Sequence, residues 1–366
     1  MNNEIINLKK KIIFYIPSIE GGGVEKNLYL LIKYLPKQIG KIHIITANKK
    51  NNYSSNINYV CPNSEYWGKS SRTLKNIICI YLLIKNFWSS KAVILSFQSN
   101  LTSIIISKIF GFRVLIRLNT SLRKYLSNFF KRITFKFFYS LSDVIIVNSK
   151  FFQKELNELS LRSHLIYNLN TYEKKRKKLD FFKKFKGLKI LNIGRLTDQK
   201  DQTTIIKSLK ILKKKDINFK CIIVGRGALK DILISEIKRL NLGKNIKLVG
   251  FKNHAEQYIS QSDIFVLSSK FEGLPNVLIE SQKYGVPIIS SNCPTGPREI
   301  LMNGRLGELF PVGNYDILAK KLFYFSQNKK ILKLKSFHAK KYLKRFDPII
   351  NSKKYSKLIL KQYEKL

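Results

Sequence analysis

Apolar positions along this chain fall into two patterns that take turns. Short, nearly continuous apolar runs occur at 10–16, 41–47, 57–60, 92–97, 112–118, 143–147 and 164–167. Runs of this length, rich in Ile, Val and Phe, read as strands covered on both faces. Between them, apolar residues recur at helical spacing over 24–35, 72–88 and 100–110, and from a candidate cap at Ser149 to about Leu159. The second half repeats the scheme. Strands are expected at 188–193, 219–224, 246–249, 264–267, 286–290 and near 307–310. Helices are expected after Asp201 to about Leu212, over 228–240 and 254–260, from near Pro275, and onward to the C-terminus. Strands alternating with helices predict an α/β chain with parallel sheets. The stretch 171–187 breaks the pattern with a like-charge run, Lys174-Lys175-Arg176-Lys177-Lys178, and reads as a basic linker.

Composition narrows this picture. The 366 residues suffice for two domains with full cores, and 44% hydrophobic content argues against disorder. Cys61, Cys79, Cys221 and Cys293 show neither paired nor metal-ligand spacing, and read as small buried residues in a reducing compartment. His43, His164, His254 and His338 are equally scattered, so no metal site is expected. Residues 1–11 are polar and charged, the 12–16 run is too short for a secretory signal, and the longest apolar runs, such as 77–84, fall short of a bilayer span.

The formal net charge of +45 leaves several partners open. Lys-rich solvated faces are the plain explanation; anionic lipid, phosphorylated substrates and nucleic acid are the functional ones. One segment adds detail. Between Arg123 and Phe138, Arg123, Lys124, Lys131, Arg132 and Lys136 interleave with Tyr125, Leu126, Phe129, Phe130, Ile133, Phe137 and Phe138. Two readings fit it: a core helix with a basic outer face, or an interfacial helix on anionic headgroups.

The candidate chemistry sits in loops that follow strands. After the first strand comes Gly21-Gly22-Gly23 and then a helix, a geometry in which backbone can approach a ligand closely. In the second half, Phe271-Glu272-Gly273-Leu274-Pro275-Asn276 leads into a helix that carries Glu280, eight residues beyond Glu272. Taken alone this is a surface helix with two solvated acids. Loops 194–200, 225–227 and 250–251 also follow strands, and in two facing domains all of these would line one cleft.

Together these motifs resemble glycosyltransferase family 4, the retaining group with the GT-B fold of two Rossmann-like parallel-sheet domains facing across a cleft. The resemblance is carried by Gly194-Arg195-Leu196 with Lys200, Val224-Gly225-Arg226-Gly227, Gly250-Phe251, 262–269, Glu272-Gly273-Leu274-Pro275-Asn276-Val277 with Glu280, 285–289 and Gly296-Pro297-Arg298-Glu299-Ile300-Leu301. The Cys293-Pro294-Thr295-Gly296-Pro297-Arg298 form resembles the branch acting on UDP-hexosamines and UDP-hexoses in surface-glycan assembly. The implied domains are an acceptor domain over 1–170, the linker 171–187, a nucleotide-sugar domain over 188–345, and a final helix in 346–366 packing back on the first domain.

The resemblance implies roles. Arg195 and Lys200 hold the donor diphosphate, a guanidinium fork and a point charge that stabilise the leaving group. Glu280 accepts bonds from ribose hydroxyls. Glu272, with Gly273, Leu274 and Asn276, binds the transferred sugar. Gly225 and Phe251 border the base, Gly22 and Gly23 admit phosphate or acceptor, and Asn119 faces the reacting carbon. The catalytic set is Glu272, Arg195, Lys200 and Asn119, with same-face attack and no carboxylate nucleophile. No metal or other cofactor is expected beyond a nucleotide-sugar donor, a UDP-hexose or UDP-N-acetylhexosamine. The acceptor is a lipid-linked glycan or polysaccharide, reached by a peripheral protein on the anionic inner face of the cell membrane, with no nucleic-acid partner. The alternatives are another GT-B enzyme, such as a sugar-nucleotide epimerase, or a non-catalytic basic protein that binds nucleic acid.

Overall fold

The computed structural model describes residues 10–49, 57–120, 122, 126, 128–171 and 180–366. The chain forms two compact units. The first combines the chain up to Thr171 with Phe346–Leu366, and the second is Tyr172–Arg345.

The first unit is built on seven strands: β1 (Lys11–Tyr15), β2 (Lys41–Ile45), β3 (Ile57–Val60), β4 (Ala92–Ser96), β5 (Arg113–Leu118), β6 (Val144–Val147) and β7 (His164–Leu165). They pair in parallel in the order β3-β2-β1-β4-β5-β6-β7. Successive strand side chains point to opposite faces, so β1 serves two cores. Ile13 and Tyr15 join a cluster with Cys79, Leu83, Ile104, Phe135 and Phe152. Ile12 and Phe14 join another with Leu28, Leu31, Tyr355 and Ile359. The helices Arg72–Phe87, Asn100–Ile109, Phe129–Ser140 and Lys150–Asn157 thus cover one face, and Gly23–Tyr34 and Pro348–Tyr363 the other. Caps set the helix starts: Ser71 accepts from the Leu74 amide, Ser149 from Phe152, and Asn128 from Lys131.

The final helix starts where Asp347 accepts from the amides of Ile349 and Ile350, with Pro348 in its first turn. The Asn170 amide donates to the Phe346 carbonyl at 3.0 Å, tying the two chain segments of this unit together.

The second unit has six parallel strands: β8 (Leu188–Ile193), β9 (Phe219–Val224), β10 (Ile246–Leu248), β11 (Ile264–Leu267), β12 (Ile288–Ser291) and β13 (Glu308–Phe310). Their order is β10-β9-β8-β11-β12-β13. Leu188 and Ile190 pack with Ile205, Leu209 and Leu212 of the helix Gln202–Lys214, and with Leu318 and Leu322 of the helix Tyr315–Gln327.

Several elements depart from the sequence expectation, each for a local reason. The strand expected at 286–290 is β12, two residues later. The Val286 amide closes the preceding helix on the Ser281 carbonyl, and Pro287 has no amide to give the ladder. The helix expected from Pro275 is Asn276–Lys283, with Pro275 extended at its cap (φ −70°, ψ 108°). The basic aromatic stretch is helical only over Phe129–Ser140, and Arg123, Lys124 and Tyr125 lie outside the described residues. In the expected linker, residues 172–179 also lie outside the described residues. The remainder is packed: Phe182 is buried, and Phe181 stacks on Tyr258 with ring centroids 3.8 Å apart.

In both sheets the strand order reverses at one place, between β1 and β4 and between β8 and β11. In open parallel sheets ligands bind outside the carboxyl ends of the strands at such a switch point. The loops that leave β1, β4, β8 and β11 are therefore where a ligand is expected to bind.

Candidate active site

In the second unit, the loops after β8 and β11 are joined at the switch point. The Lys270 amide donates to the Gln199 carbonyl at 2.8 Å, and the Gln199 side-chain amide donates to the Phe271 carbonyl at 2.9 Å. Ser268 Oγ donates to the Lys200 carbonyl at 2.9 Å. This clasp holds a three-residue turn, Asp198–Lys200, so that Lys200 Nζ lies 2.5 Å from Glu272 Oε1. The pair is largely out of water, with side-chain exposures of 15% and 7%. Ser269 Oγ donates to the same carboxylate oxygen at 2.6 Å. Arg195, at the start of the β8 loop, is exposed and reaches Gln199 Oε1 at 3.4 Å.

Backbone close to backbone shapes the neighbouring loops. A Cβ on Gly225 would sit 1.8 Å from the Gly194 carbonyl oxygen, so only glycine fits where the β8 and β9 loops meet. The Gly225 amide donates to the Gly250 carbonyl at 3.0 Å, which extends the contact to the β10 loop. There Phe251 is exposed, with the Arg226 guanidinium 5.0 Å from its ring centroid. On the other side, a Cβ on Gly296 would meet the Gly273 carbonyl at 2.0 Å.

Glu272 and Glu280 are buried, with exposures of 7% and 9%. The surface-helix reading of two solvated acids is thereby excluded. Glu280 lies in the second turn of Asn276–Lys283, Leu274 is buried, and Gly273 and Asn276 are half-buried at the helix entrance. Cys293 lies beside this group; burial, reinforced by the Glu272 charge, pushes its thiol up to about 12, so it is no nucleophile at neutral pH.

Sequence reasoning missed three parts of this arrangement. Ser269 and Gln199 have ordinary side chains whose role comes only from the meeting of two loops. Thr295 has a left-handed backbone (φ 95°), rare for a β-branched residue. Its hydroxyl donates to the Glu272 carbonyl and, at 3.3 Å, to that of Gly273. Pro294 before it and Gly296 after it were the available signal of an unusual turn.

In the first unit, Gly22 and Gly23 are exposed after β1, where Gly22 caps the helix Gly23–Tyr34. Glu25 folds back to accept from the Glu20 amide at 3.2 Å, and a Cβ on Gly22 would meet its carboxylate at 2.9 Å. Ser18 and Gln98 exchange two hydrogen bonds (3.1 and 3.0 Å), joining the β1 and β4 loops at this switch point. Asn119 follows β5. Its carbonyl oxygen accepts from the buried Arg117 at 2.5 Å, and its amide donates to the Phe97 carbonyl at 2.9 Å. Its polar atoms are thus engaged in bracing the strand ends.

Comparison with known proteins bears on the fold and on the second unit's sequence. Residues 172–342 match the family model described as glycosyl transferases group 1. An uncharacterised glycosyltransferase of Methanocaldococcus jannaschii is 35% identical over 199 residues, which span 50% of this chain and 48% of that protein. A Campylobacter jejuni N-acetylgalactosamine-N,N'-diacetylbacillosaminyl-diphospho-undecaprenol 4-alpha-N-acetylgalactosaminyltransferase is 27% identical over 363 residues, 93% of this chain and 96% of that one. Among solved structures, Anabaena HepE in complex with UDP and glucose superposes with a TM-score of 0.77 at 16% identity, covering 96% of this chain and all of that one. That likeness shows a shared fold, and the fold is that of the GT-B glycosyltransferases. Residues 172–342 are thus similar to the group 1 glycosyl transferases, in a chain built of two Rossmann-like parallel-sheet units.

Proposed function

We propose that this chain is a retaining family 4 glycosyltransferase that moves a hexose or N-acetylhexosamine from a UDP-sugar to a lipid-linked glycan or polysaccharide acceptor in surface-polysaccharide, lipopolysaccharide or glycoprotein assembly. The observation that carries the reading is the desolvated Lys200–Glu272 pair at the β8/β11 switch point, with exposed Arg195 beside it. Two cations there suit a diphosphate, and a carboxylate held by Ser269 suits sugar hydroxyls. The printed names of the relatives support the reading. The Campylobacter enzyme is named for a diphospho-undecaprenol acceptor, and HepE was solved with UDP and glucose.

In this reading Arg195 and Lys200 neutralise the diphosphate as its bond to the sugar breaks, the work a metal ion does in other transferases. No metal is required. Lys200 must then exchange part of its bond to Glu272 for phosphate, which frees Glu272 for the sugar. Gly273, Leu274 and Asn276 line the sugar side, Glu280 holds the ribose, and Gly225 and Phe251 border the base. By the resemblance, Gly22 and Gly23 serve acceptor or phosphate and Asn119 the reacting carbon, for which Asn119 must first release Arg117 or the Phe97 carbonyl. The acceptor hydroxyl attacks from the face the leaving group departs, and a phosphate oxygen takes its proton. The relatives named as glycosyltransferases favour transfer over an epimerase or a nucleic-acid-binding role.

The test is thermal denaturation against a panel of nucleotide sugars. A matching UDP-sugar at one hundred times its Kd is expected to add about 2.7 kcal/mol of stability. Failure of every uridine nucleotide to stabilise the protein would sink the donor assignment. Glu280→Ala is expected to abolish turnover in a folded protein, and near-normal turnover would remove Glu280 from the site.

A further inference from the structure

We infer that the outer surface of the helix layer Arg72–Phe87, Asn100–Ile109 and Phe129–Ser140 is a docking face for an anionic lipid bilayer. The inference extends the proposed lipid-linked acceptor to the surface that carries it. It rests on the first unit alone, so vesicle binding and glycosyl transfer can fail separately.

The three helices cover one face of the sheet, and the second and third pack against each other. Arg72–Phe87 packs over β2, and Asn100–Ile109 over β4 and β5 and against Phe129–Ser140. Since β1 lies between β2 and β4, the first helix covers the same face of the sheet as the other two.

Their inward residues, among them Cys79, Leu83, Ile104 and Phe135, fill the core. A second apolar set points out. Ile77, Tyr81 and Trp88 form a stripe at helical spacing on the first helix, and Trp88 is 67% exposed. Ile109 ends the second helix in solvent. The third exposes Phe129, Phe130, Ile133 and Phe137, and Phe130 is 80% exposed. Only Phe135 of that helix is buried. Over Phe129–Ser140 this exposure argues against the core-helix reading, because a core helix would have buried more of its aromatic residues.

The charges on the layer have one sign. None of the three helices contains Asp or Glu, while Arg72, Lys85, Lys108, Arg132 and Lys136 are exposed on them. A second copy of the chain facing this layer would set like charges against each other. A nucleic acid would meet the charges but leave Ile77, Ile109 and Ile133 without a function. An anionic bilayer satisfies both sets: aromatic rings rest at headgroup depth, and Lys and Arg extend to the phosphates. Among the described residues no helix is long and apolar enough to cross a membrane, which makes this a contact that lies on the surface.

The test is co-sedimentation of the full chain with vesicles of mixed phosphatidylglycerol and phosphatidylcholine, and with pure phosphatidylcholine. Binding is expected to the mixed vesicles at low salt, to weaken at high salt, and to be at least about tenfold weaker for Phe130→Ser/Phe137→Ser and for Arg132→Glu/Lys136→Glu. Leu334→Ser/Phe337→Ser changes two exposed apolar residues on the helix Lys329–Ala339 of the second unit and is expected to bind as the parent does. With Trp67→Phe, Trp88 is the sole tryptophan and is expected to be quenched by brominated lipid. Equal binding to pure phosphatidylcholine, parent-like binding by the first two variants, or loss confined to the second-unit variant overturns the inference. So does a dimer that Phe130→Ser/Phe137→Ser dissociates in a protein that ignores vesicles.

Discussion

At the scale of single residues, Lys200 and Glu272 are worth most where they are together. Desolvating two charges is costly, and their attraction offsets that cost only while both are present. Removing Lys200 leaves Glu272 buried with the Ser269 hydroxyl against a full negative charge. Lys200→Met is expected to cost about 3 kcal/mol in chemical denaturation and, if Lys200 serves the diphosphate as proposed, to lower turnover about a hundredfold or more. A different residue gives the pH dependence. His43 is buried on β2 with its ring edge-on to Phe87, and its Nε2 has no partner among the described residues. Burial, with Lys41 and Lys11 adding to it, lowers its pKa to about 4. The unfolded chain takes up a proton near pH 6.5 and the folded chain does not. The contribution is therefore absent above that pH, and stability falls as pH drops from 6.5 toward 4, by about 3 kcal/mol in full. His43→Leu is expected to flatten the stability profile between about pH 6.5 and pH 5, above the main carboxylate range. An unchanged slope would show that other groups set it.

At the scale of elements, the site depends on loops that touch backbone to backbone. Gly225→Ala places a methyl against the Gly194 carbonyl, where no flexible side chain can yield. It is expected to cost about 3 kcal/mol and to erase stabilisation by UDP in thermal denaturation. Gly250 differs: space is open around it, but its φ of 73° disfavours a side chain, so Gly250→Ala should cost only about 1 kcal/mol. Elements were the most readable part of the sequence. Strands β8, β9 and β11 fall at the expected residues because short runs dominated by apolar residues suit a sheet covered on both faces. A boundary moved where a local bond competed, as at Val286. The five-residue helix Gly296–Ile300 is too short to show a period, and its neighbour Thr295 was passed over for the same reason.

At the scale of the whole molecule, the chain's last segment belongs to its first unit. Tyr355 and Ile359 are fully buried beside Ile12 and Phe14 of β1. Deleting residues 346–366 is expected to raise amide hydrogen exchange in β1 and β4 to near unfolded rates while β8, β9 and β11 keep their protection. Retained protection of β1 would show that the final helix is dispensable to that core. What the sequence determined by itself was local: the alternation of strands and helices, the glycine positions, and the residue types that can meet a diphosphate and a sugar. These follow from periodicity and from side-chain chemistry, which a linear chain displays. What only the tertiary structure decided was which groups meet. Lys200 and Glu272 stand 72 positions apart and become a pair because β8 and β11 are neighbours. The same holds for the acidic stretch around Glu272 and Glu280: taken alone, the sequence reads as a solvated surface helix, and it is the tertiary structure that buries both acids. The physical reason is that desolvation, which gives a charge its strength and its selectivity, belongs to an environment assembled from several strands and not to any one residue.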